Sequence, residues 1–99
     1  SSTLVVSSHD LADLERISRF LADQGPATVR AALDVIADAM QILERHPLIG
    51  RPAEQRMREL VISRGKTGYV ALYDYHPHDD LVVSLAVRHQ REAGYIEAQ

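Results

Sequence analysis

The amino-acid sequence predicts an α+β domain in the order β-α-α-β-β-β, with a helical hairpin packed on an antiparallel sheet. Three observations predict this fold class. A short β-branched run opens the chain, two stretches repeat apolar residues at helical spacing, and three β-rich runs follow with short turn sequences between them. Strands joined by such short connections pair antiparallel, and the amphipathic helices need an apolar surface to cover.

The first strand and the first helix open the chain. The run TLVVS is short, apolar and β-branched, so it predicts a strand. Ser7 is a candidate helix N-cap with Asp10 three residues later, which is the S-x-x-D form of a capping signature. The helix is predicted to end at QGP, and its apolar residues recur at helical spacing: Leu11, Leu14, Ile17 and Leu21.

The second predicted helix is longer. Pro26 is placed to open it, because the N–H that proline lacks has no partner in the first turn of a helix. Its apolar side chains form a single stripe that we expect to face the core: Val29, Leu33, Ile36, Met40 and Leu43. The stretch HPLIGRP ends the helix and makes a turn, and the link DQGPA predicts an antiparallel helical hairpin.

Three strands are predicted in the second half: MRELVIS, GYVALYDY and LVVSLAV, separated by the turn sequences RGKT and HPHDD. Alternation in the middle run places one row on a single face: Tyr69, Ala71, Tyr73 and Tyr75. This row either supports a binding surface or packs across strands. Packing is the better interpretation for Tyr69 and Tyr75.

Length and composition limit the class of protein. The chain has 99 residues, of which 45% are hydrophobic and 25% charged, and this predicts one globular domain over residues 1–99. It has no cysteine, which excludes a disulfide framework and a cysteine-built zinc site. No apolar run is long enough to span a bilayer and the first residues lack signal-peptide features, so we expect a cytoplasmic protein without membrane contact.

Charge is unevenly distributed along the chain. The net charge of −3 argues against a protein that coats nucleic acid by bulk electrostatics. Residues 1–44 are acidic, whereas a basic segment follows with these cations: Arg45, Arg51, Arg56, Arg58, Arg64 and Lys66. The segment forms either a local basic surface, since arginine binds phosphate or carboxylate through paired hydrogen bonds, or a solvated turn region.

The histidines do not form a metal-binding motif. The run HPHDD places His76 and His78 ahead of two aspartates, but a hairpin turn needs the same composition, and the ligand spacings of zinc sites are missing. The sequence also lacks the G-x-S-x-G, P-loop, G-x-G-x-x-G and H-E-x-x-H motifs. We therefore expect no cofactor and no metal site.

Candidate functional residues are concentrated near the end of the sequence. The stretch VRHQREAGY follows the last strand, which we expect to end at Val87. It contains side chains that bind phosphate, move protons or stack on bases: Arg88, His89, Arg91 and Tyr95. Arg58, Lys66 and Tyr73 complete the predicted target-binding set. The alternative is a solvated end in which Tyr95 covers the edge of the core.

Four segments in a fixed order carry a resemblance to a known family: LERHPLIGRP at the end of the second helix, then MREL, GYVALYDY and VVSLAVRHQREAGY. Together they resemble the RelE/ParE superfamily of toxins from type II toxin–antitoxin systems, over nearly the whole chain. The resemblance implies a toxin that a cognate antitoxin neutralises in a hetero-oligomer. It also implies an apolar groove between the second helix and the sheet for an antitoxin segment, with Val61 and Leu72 as its floor or as core.

The resemblance leaves the target open. Members similar to RelE cleave messenger RNA on the ribosome, whereas members similar to ParE act on DNA gyrase. The ribonuclease branch commonly has a catalytic arginine after the aromatic residue that begins the third strand, and here Val70 follows Tyr69. The leading hypothesis is therefore ParE-like inhibition of DNA gyrase, in which Arg88 and Arg91 contact an acidic face of the target.

Two alternatives to gyrase inhibition stay open. One is a RelE-like, metal-independent endoribonuclease with the ribosome and mRNA as partners, and its catalytic candidates are Arg58, His89, Arg91 and Tyr95. Among these, His89 or Tyr95 would move protons at the scissile phosphate. The other alternative is a degenerate family member that binds an antitoxin but is not toxic.

Overall fold

A computed structural model describes residues 2–63 and 68–89 of the chain. Its elements are β1 (Thr3–Val6), α1 (Ser8–Leu21), a 3₁₀ turn (Ala22–Gln24), α2 (Pro26–Arg45), β2 (Arg51–Pro52), β3 (Arg58–Ser63), β4 (Tyr69–His76) and β5 (Leu81–His89). Both helices pack on the same face of a five-stranded sheet. The predicted α+β architecture is confirmed.

The strands lie in the order β1-β5-β4-β3-β2. The pairs β3–β4 and β4–β5 are antiparallel, as predicted. The sheet differs from the prediction in two places: β2 forms within the stretch predicted as a turn, and β1 pairs with β5 in parallel, so the sheet is mixed. A parallel pair needs a long crossover connection, and the helices and the intervening strands provide it. Because the two strands are far apart in sequence, no local sequence pattern predicts their pairing.

The N-terminus of α1 is fixed to β5. Ser7 is the N-cap as predicted, and its hydroxyl accepts a hydrogen bond from the Asp10 N–H at 3.1 Å. The Ser7 N–H donates to the Ser84 carbonyl at 3.2 Å, so the Asp10 carboxylate does not close the capping box. The buried face of α1 is Asp10, Asp13, Ile17 and Leu21. Leu11, the first residue of the predicted apolar stripe, is exposed.

Asp13 completes the hydrogen bonding of β5. β1 ends opposite Ser84, so beyond that point no described strand lies on this side of β5. The Asp13 carboxylate takes its place, because Oδ2 accepts a hydrogen bond from the buried Val87 N–H at 3.0 Å. Its Oδ1 accepts a hydrogen bond from Arg16 at 2.7 Å. A side chain therefore satisfies a buried backbone donor and holds the end of β5 against α1.

Asp10 is buried beside this contact. Its side chain is 1% exposed, and neither its carboxylate oxygens nor the Ser84 hydroxyl has a standard hydrogen bond within the described residues. Burial raises the pKa of Asp10, and the charge of Asp13 raises it further, while the Ser84 hydroxyl and His9 oppose the shift. The folded protein therefore favours the neutral form of this carboxyl group more than the unfolded chain does.

The helices and the sheet enclose two adjoining apolar clusters. The first is formed by Ile17, Leu21, Ala32, Ile36, Tyr69 and Val87. The second is formed by Leu43, Tyr73 and Val82. Of the predicted stripe on α2, Ile36 and Leu43 are buried, whereas Val29, Leu33 and Met40 are half-buried. Neither described helix is long and apolar enough to cross a bilayer.

The tyrosine row of β4 faces the helices. Tyr69 and Tyr73 are buried, and they alternate with Val70 and Leu72 on the opposite face of the sheet. Tyr69 belongs to the core and Tyr75 packs partly against it, so the packing interpretation is confirmed for these two residues. The row supports the helices and leaves the other face of β4 without a helical layer.

The loop between α2 and β2, residues 46–50, is fixed by Tyr73. The Gly50 N–H donates a buried hydrogen bond to the Tyr73 hydroxyl at 2.8 Å. A Cβ atom at Gly50 would lie 2.6 Å from that hydroxyl oxygen and 2.8 Å from the Glu59 carbonyl oxygen. Both distances are steric clashes, and only glycine, which has no Cβ atom, avoids them. The Ile49 N–H also donates to the His46 carbonyl at 3.0 Å. The core and the loop are therefore joined through one buried hydroxyl.

We expect Tyr73→Phe to lower the free energy of unfolding by about 1–3 kcal/mol, because the buried Gly50 N–H then has no acceptor. Tyr75→Phe is the matched control, since its hydroxyl donates to Asp80 at an exposed site where water replaces the lost bond. Urea unfolding followed by circular dichroism measures both variants. Equal losses in the two variants would contradict the role assigned to Tyr73.

Asp10→Asn is expected to stabilise the protein at neutral pH. The pKa of Asp10 is raised above its ordinary value of 3.8, so the folded state binds the proton more tightly than the unfolded state. The free energy of unfolding therefore falls as pH rises from 3.8 through the raised pKa. The Tm of the variant should exceed that of the wild type at neutral pH, and the gap should close as the pH is lowered.

Asp38→Asn, at an exposed position of α2, is the control for this experiment, because it makes the same chemical change without removing a buried carboxyl group. A wild-type Tm equal to or above that of Asp10→Asn at neutral pH would show that the carboxyl group of Asp10 is not destabilising there.

Candidate functional site

The predicted functional residues lie on both faces of the sheet. Residues paired across strands point to the same face. Arg88 is opposite Val70, on the face away from the helices, whereas Arg58 is opposite Tyr73, on the helix face. Their partners on β4, Val70 and Tyr73, are three positions apart, which corresponds to about 10 Å along the strand. The structure therefore does not bring Arg58 and Arg88 into one cluster.

The end of β5 is longer than predicted. The strand continues through Arg88 and ends at His89, so the prediction that it ends at Val87 is wrong. Arg88 pairs with Val70, and His89 pairs with Tyr69. Ladder pairing, supported by the hydrogen bond that the Val87 N–H donates to the Asp13 carboxylate, fixes the backbone of both candidate residues. They project to opposite faces of the sheet.

His89 lies in an aromatic cluster at the end of α1. It is 9% exposed, and its ring contacts Tyr69 edge-on with centroids 5.5 Å apart and an interplanar angle of 83°. The ring of Phe20 lies 6.4 Å away at 57° and is 70% exposed. Sequence reasoning missed Phe20, although the single phenylalanine of the chain, lying outside the predicted apolar stripe, was a usable signal. The cluster presents one aromatic ring to solvent.

Arg88 lies beside apolar residues of the sheet. It is half-buried on the sheet face that the helices do not cover, opposite Val70, which is 2% exposed. Val61 and Leu72 lie on this same face. The prediction that they form the floor of a groove against α2 is wrong, because the tyrosine row occupies the side of the sheet that α2 covers.

Arg58 stabilises the loop of residues 46–50. Its Nη1 donates to the Gly50 carbonyl at 2.6 Å and lies 3.4 Å from the Leu48 carbonyl. Arg51 forms an ion pair with Glu59 at 2.6 Å. Two cations of the basic segment therefore make contacts within the protein, and Arg58 has a structural role besides its predicted functional one. Two further cations of this segment, Arg45 and Arg56, are exposed to solvent.

Tyr73 does not reach the surface, contrary to its predicted role in target binding. Its side chain is fully buried against Leu43 and Val82. Burial raises the pKa of its hydroxyl, while the hydrogen bond from Gly50 and the charge of Arg58 oppose the shift. The hydroxyl therefore stays protonated near neutral pH and serves as a structural acceptor.

The turn between β3 and β4 and the segment that follows β5 lie outside the described residues. They contain four of the predicted basic or aromatic residues: Arg64, Lys66, Arg91 and Tyr95. The roles of these four residues stay predictions.

The histidine-containing turn between β4 and β5 holds β1. Asp80 has a φ of 49°, and its carboxylate accepts hydrogen bonds from the Ser2 hydroxyl at 2.6 Å and the Tyr75 hydroxyl at 3.1 Å. These bonds hold the pKa of Asp80 below its ordinary value. His76 pairs with Asp74 at 3.3 Å. Across residues 2–63 and 68–89, no three His, Asp or Glu side chains lie close enough to hold a metal ion.

An apolar groove of about 740 Å³ lies between α1 and α2. Leu11, Leu14 and Leu33 line it, together with the charged side chains of Glu15 and Arg19. The groove explains why Leu11 is exposed although it follows the helical apolar spacing. This apolar groove lies on the helical hairpin and not at the predicted place between α2 and the sheet.

Comparison with known proteins gives three findings. The family model of the ParE toxin of the type II toxin–antitoxin system parDE matches residues 6–94. Toxin RelE3 of Caulobacter vibrioides is 38% identical over 80 residues, which cover 81% of this chain and 85% of that protein. The crystal structure of the toxin–antitoxin complex RelBE2 from Mycobacterium tuberculosis contains a chain with a TM-score of 0.62 and 25% identity, covering 89% of this chain and 96% of that chain.

Proposed function

Because the chain belongs to the ParE toxin family of type II toxin–antitoxin systems, we propose that it inhibits DNA gyrase by docking and that a cognate antitoxin neutralises it. Docking requires a surface of suitable shape and charge but no proton transfer. The end of β5 supplies this surface in the proposal, through Arg88 and the aromatic cluster of Phe20 and His89. Arg91 and Tyr95 belong to the same proposed surface.

The observation that carries the proposal is the residue at position 70. Ribonuclease members of the superfamily commonly have a catalytic arginine there, and a fixed guanidinium stabilises the charge that develops on a scissile phosphate. Here the position is Val70, which is 2% exposed. The net charge of −3 supports the same conclusion, because a ribosome-bound nuclease works against an RNA polyanion.

A ribosome-dependent ribonuclease is the second candidate, and one structural observation favours it. Arg88 stands directly opposite Val70 in the ladder, where Cβ atoms of paired residues are about 5 Å apart. The guanidinium of Arg88 therefore lies near the position at which the ribonucleases have their catalytic arginine. The relative from Caulobacter vibrioides is named a RelE toxin, which also supports this candidate.

The antitoxin partner is supported by the solved relative, which is a toxin–antitoxin complex. The apolar groove between α1 and α2 is a surface that a folding-upon-binding segment would cover. We therefore propose a hetero-oligomer in the cytoplasm. A family member that binds its antitoxin without being toxic would form the same complex.

One preparation of the purified protein tested in two assays decides between the candidates. We expect inhibition of supercoiling by purified gyrase and no cleavage of messenger RNA on purified ribosomes. Cleavage without gyrase inhibition would assign the protein to the ribonuclease branch. Absence of both effects, with tight antitoxin binding, would identify a non-toxic family member.

The double variant Arg88→Ala with Arg91→Ala is expected to weaken gyrase inhibition at least about tenfold, because arginines are frequent energetic anchors of interfaces. Arg19→Ala with Arg30→Ala removes two exposed arginines from the helices and is the matched control. The control should keep the wild-type Tm, since exposed charges contribute about 0–1 kcal/mol, and the Tm of the Arg88 and Arg91 variant is measured alongside to separate docking from folding. Equal inhibition by both would remove Arg88 and Arg91 from the proposed surface.

Tyr95→Phe is expected to leave inhibition largely intact, because docking needs no phenolic proton. In a ribonuclease the same change would remove a proton-transfer group worth about a hundredfold to ten-thousandfold in rate. Ribosome-dependent cleavage that is abolished by Tyr95→Phe or His89→Ala would therefore contradict the docking proposal.

A further inference from the structure

The loop of residues 46–50 presents two adjacent aliphatic side chains to solvent. Leu48 is 60% exposed and Ile49 is 52% exposed. Single exposed apolar residues are common on protein surfaces, but neighbouring ones on a fixed loop form a contact patch. Pro47 lies beside them in the same loop. Neither side chain belongs to the two apolar clusters that the described residues form.

The backbone under the patch is fixed from two directions. The Tyr73 hydroxyl accepts the Gly50 N–H at 2.8 Å in a buried contact, and Arg58 donates to the Gly50 carbonyl at 2.6 Å. The Ile49 N–H donates to the His46 carbonyl at 3.0 Å. A surface that is already ordered loses little conformational entropy when it binds a partner. The loop is therefore built to present Leu48 and Ile49 in one conformation.

A shallow groove of about 570 Å³ adjoins the patch, and we call it the loop groove. It is lined by Arg45, His46, Pro47, Leu48, Ile49 and Tyr75. Arg45 is exposed and makes no ion pair within residues 2–63 and 68–89. Aliphatic side chains beside an unpaired guanidinium fit a ligand that combines an apolar anchor with a carboxylate.

We propose that the loop groove binds an acidic segment of the antitoxin, anchored by an aliphatic side chain on Leu48 and Ile49 and by a carboxylate on Arg45. This inference rests on the proposed antitoxin partner and is independent of whether the target is gyrase or the ribosome.

The position of the loop groove favours the antitoxin over the toxin's target. Tyr75, which lines the groove, lies six residues along β4 from Tyr69, the partner of His89, and this spacing corresponds to about 20 Å. The groove and the proposed target surface are therefore at opposite ends of the strand. An antitoxin segment that folds as it binds covers a long surface and reaches sites that one compact target contact does not.

The test measures the affinity of the full-length toxin for the purified antitoxin encoded by the neighbouring gene, by isothermal titration calorimetry. Leu48→Ser with Ile49→Ser should weaken binding at least about tenfold, since it removes the apolar anchor. Arg45→Glu should weaken binding as well. The loss of affinity that it causes should be smaller at high salt, because salt screens the interaction between charges. Val35→Ser, an exposed aliphatic position of α2 outside the grooves, is the control and should bind like the wild type.

Target inhibition by each variant, measured without antitoxin, shows whether a substitution affects binding of the antitoxin or of the target. Loop-groove variants should keep the target inhibition and the Tm of the wild type while losing affinity for the antitoxin. Wild-type affinity in both loop-groove variants would overturn the inference, and so would a loss of target inhibition with antitoxin affinity retained. If the serine double variant has a lower Tm, Arg45→Glu decides alone. Failure of the wild type to bind the antitoxin would instead refute the proposed function.

Discussion

The buried hydrogen bond between the Gly50 N–H and the Tyr73 hydroxyl is the contact on which the rest of the structure depends. The tyrosine ring packs against Leu43 at the end of α2 and Val82 on β5, so one side chain links the longer helix, the central strand and the loop. A buried hydroxyl is tolerated only when it is hydrogen-bonded, and the loop backbone provides the donor. The requirement for glycine at position 50 follows from the same close approach.

This contact also explains the roles of the basic segment that begins at Arg45. Arg58 is paired in the ladder with Tyr73, which brings its guanidinium to the Gly50 carbonyl. Arg58, which the sequence predicts to contact phosphate or the target, therefore stabilises the loop. Arg45, the last residue of α2 and the residue directly before the loop, is exposed at the surface. The distinction between structural and functional arginines depends on the path of the backbone and not on residue type.

A second set of contacts fixes the opposite end of the sheet. Asp13 supplies the acceptor that a neighbouring strand would otherwise give to the Val87 N–H, and the following residues of β5 keep their ladder pairing with β4. Asp10 is buried at the same junction without standard hydrogen bonds of its carboxylate, which disfavours its charged form. The proposed target surface and the loop groove thus lie on separately anchored ends of one sheet.

The sequence by itself determined the order of the two helices and the four longer strands, the Ser7 cap, the packing of Tyr69 and the family, because helical and strand periodicity, capping and the four ordered segments are local properties of the chain. It did not determine the parallel pairing of β1 with β5, the burial of Asp10 in place of Leu11, or the separation of Arg58 from Arg88. These features depend on contacts between residues far apart in sequence, such as Asp13 and Val87, which are 74 positions apart. Only the tertiary structure decides which strands become neighbours and which face of a helix they cover.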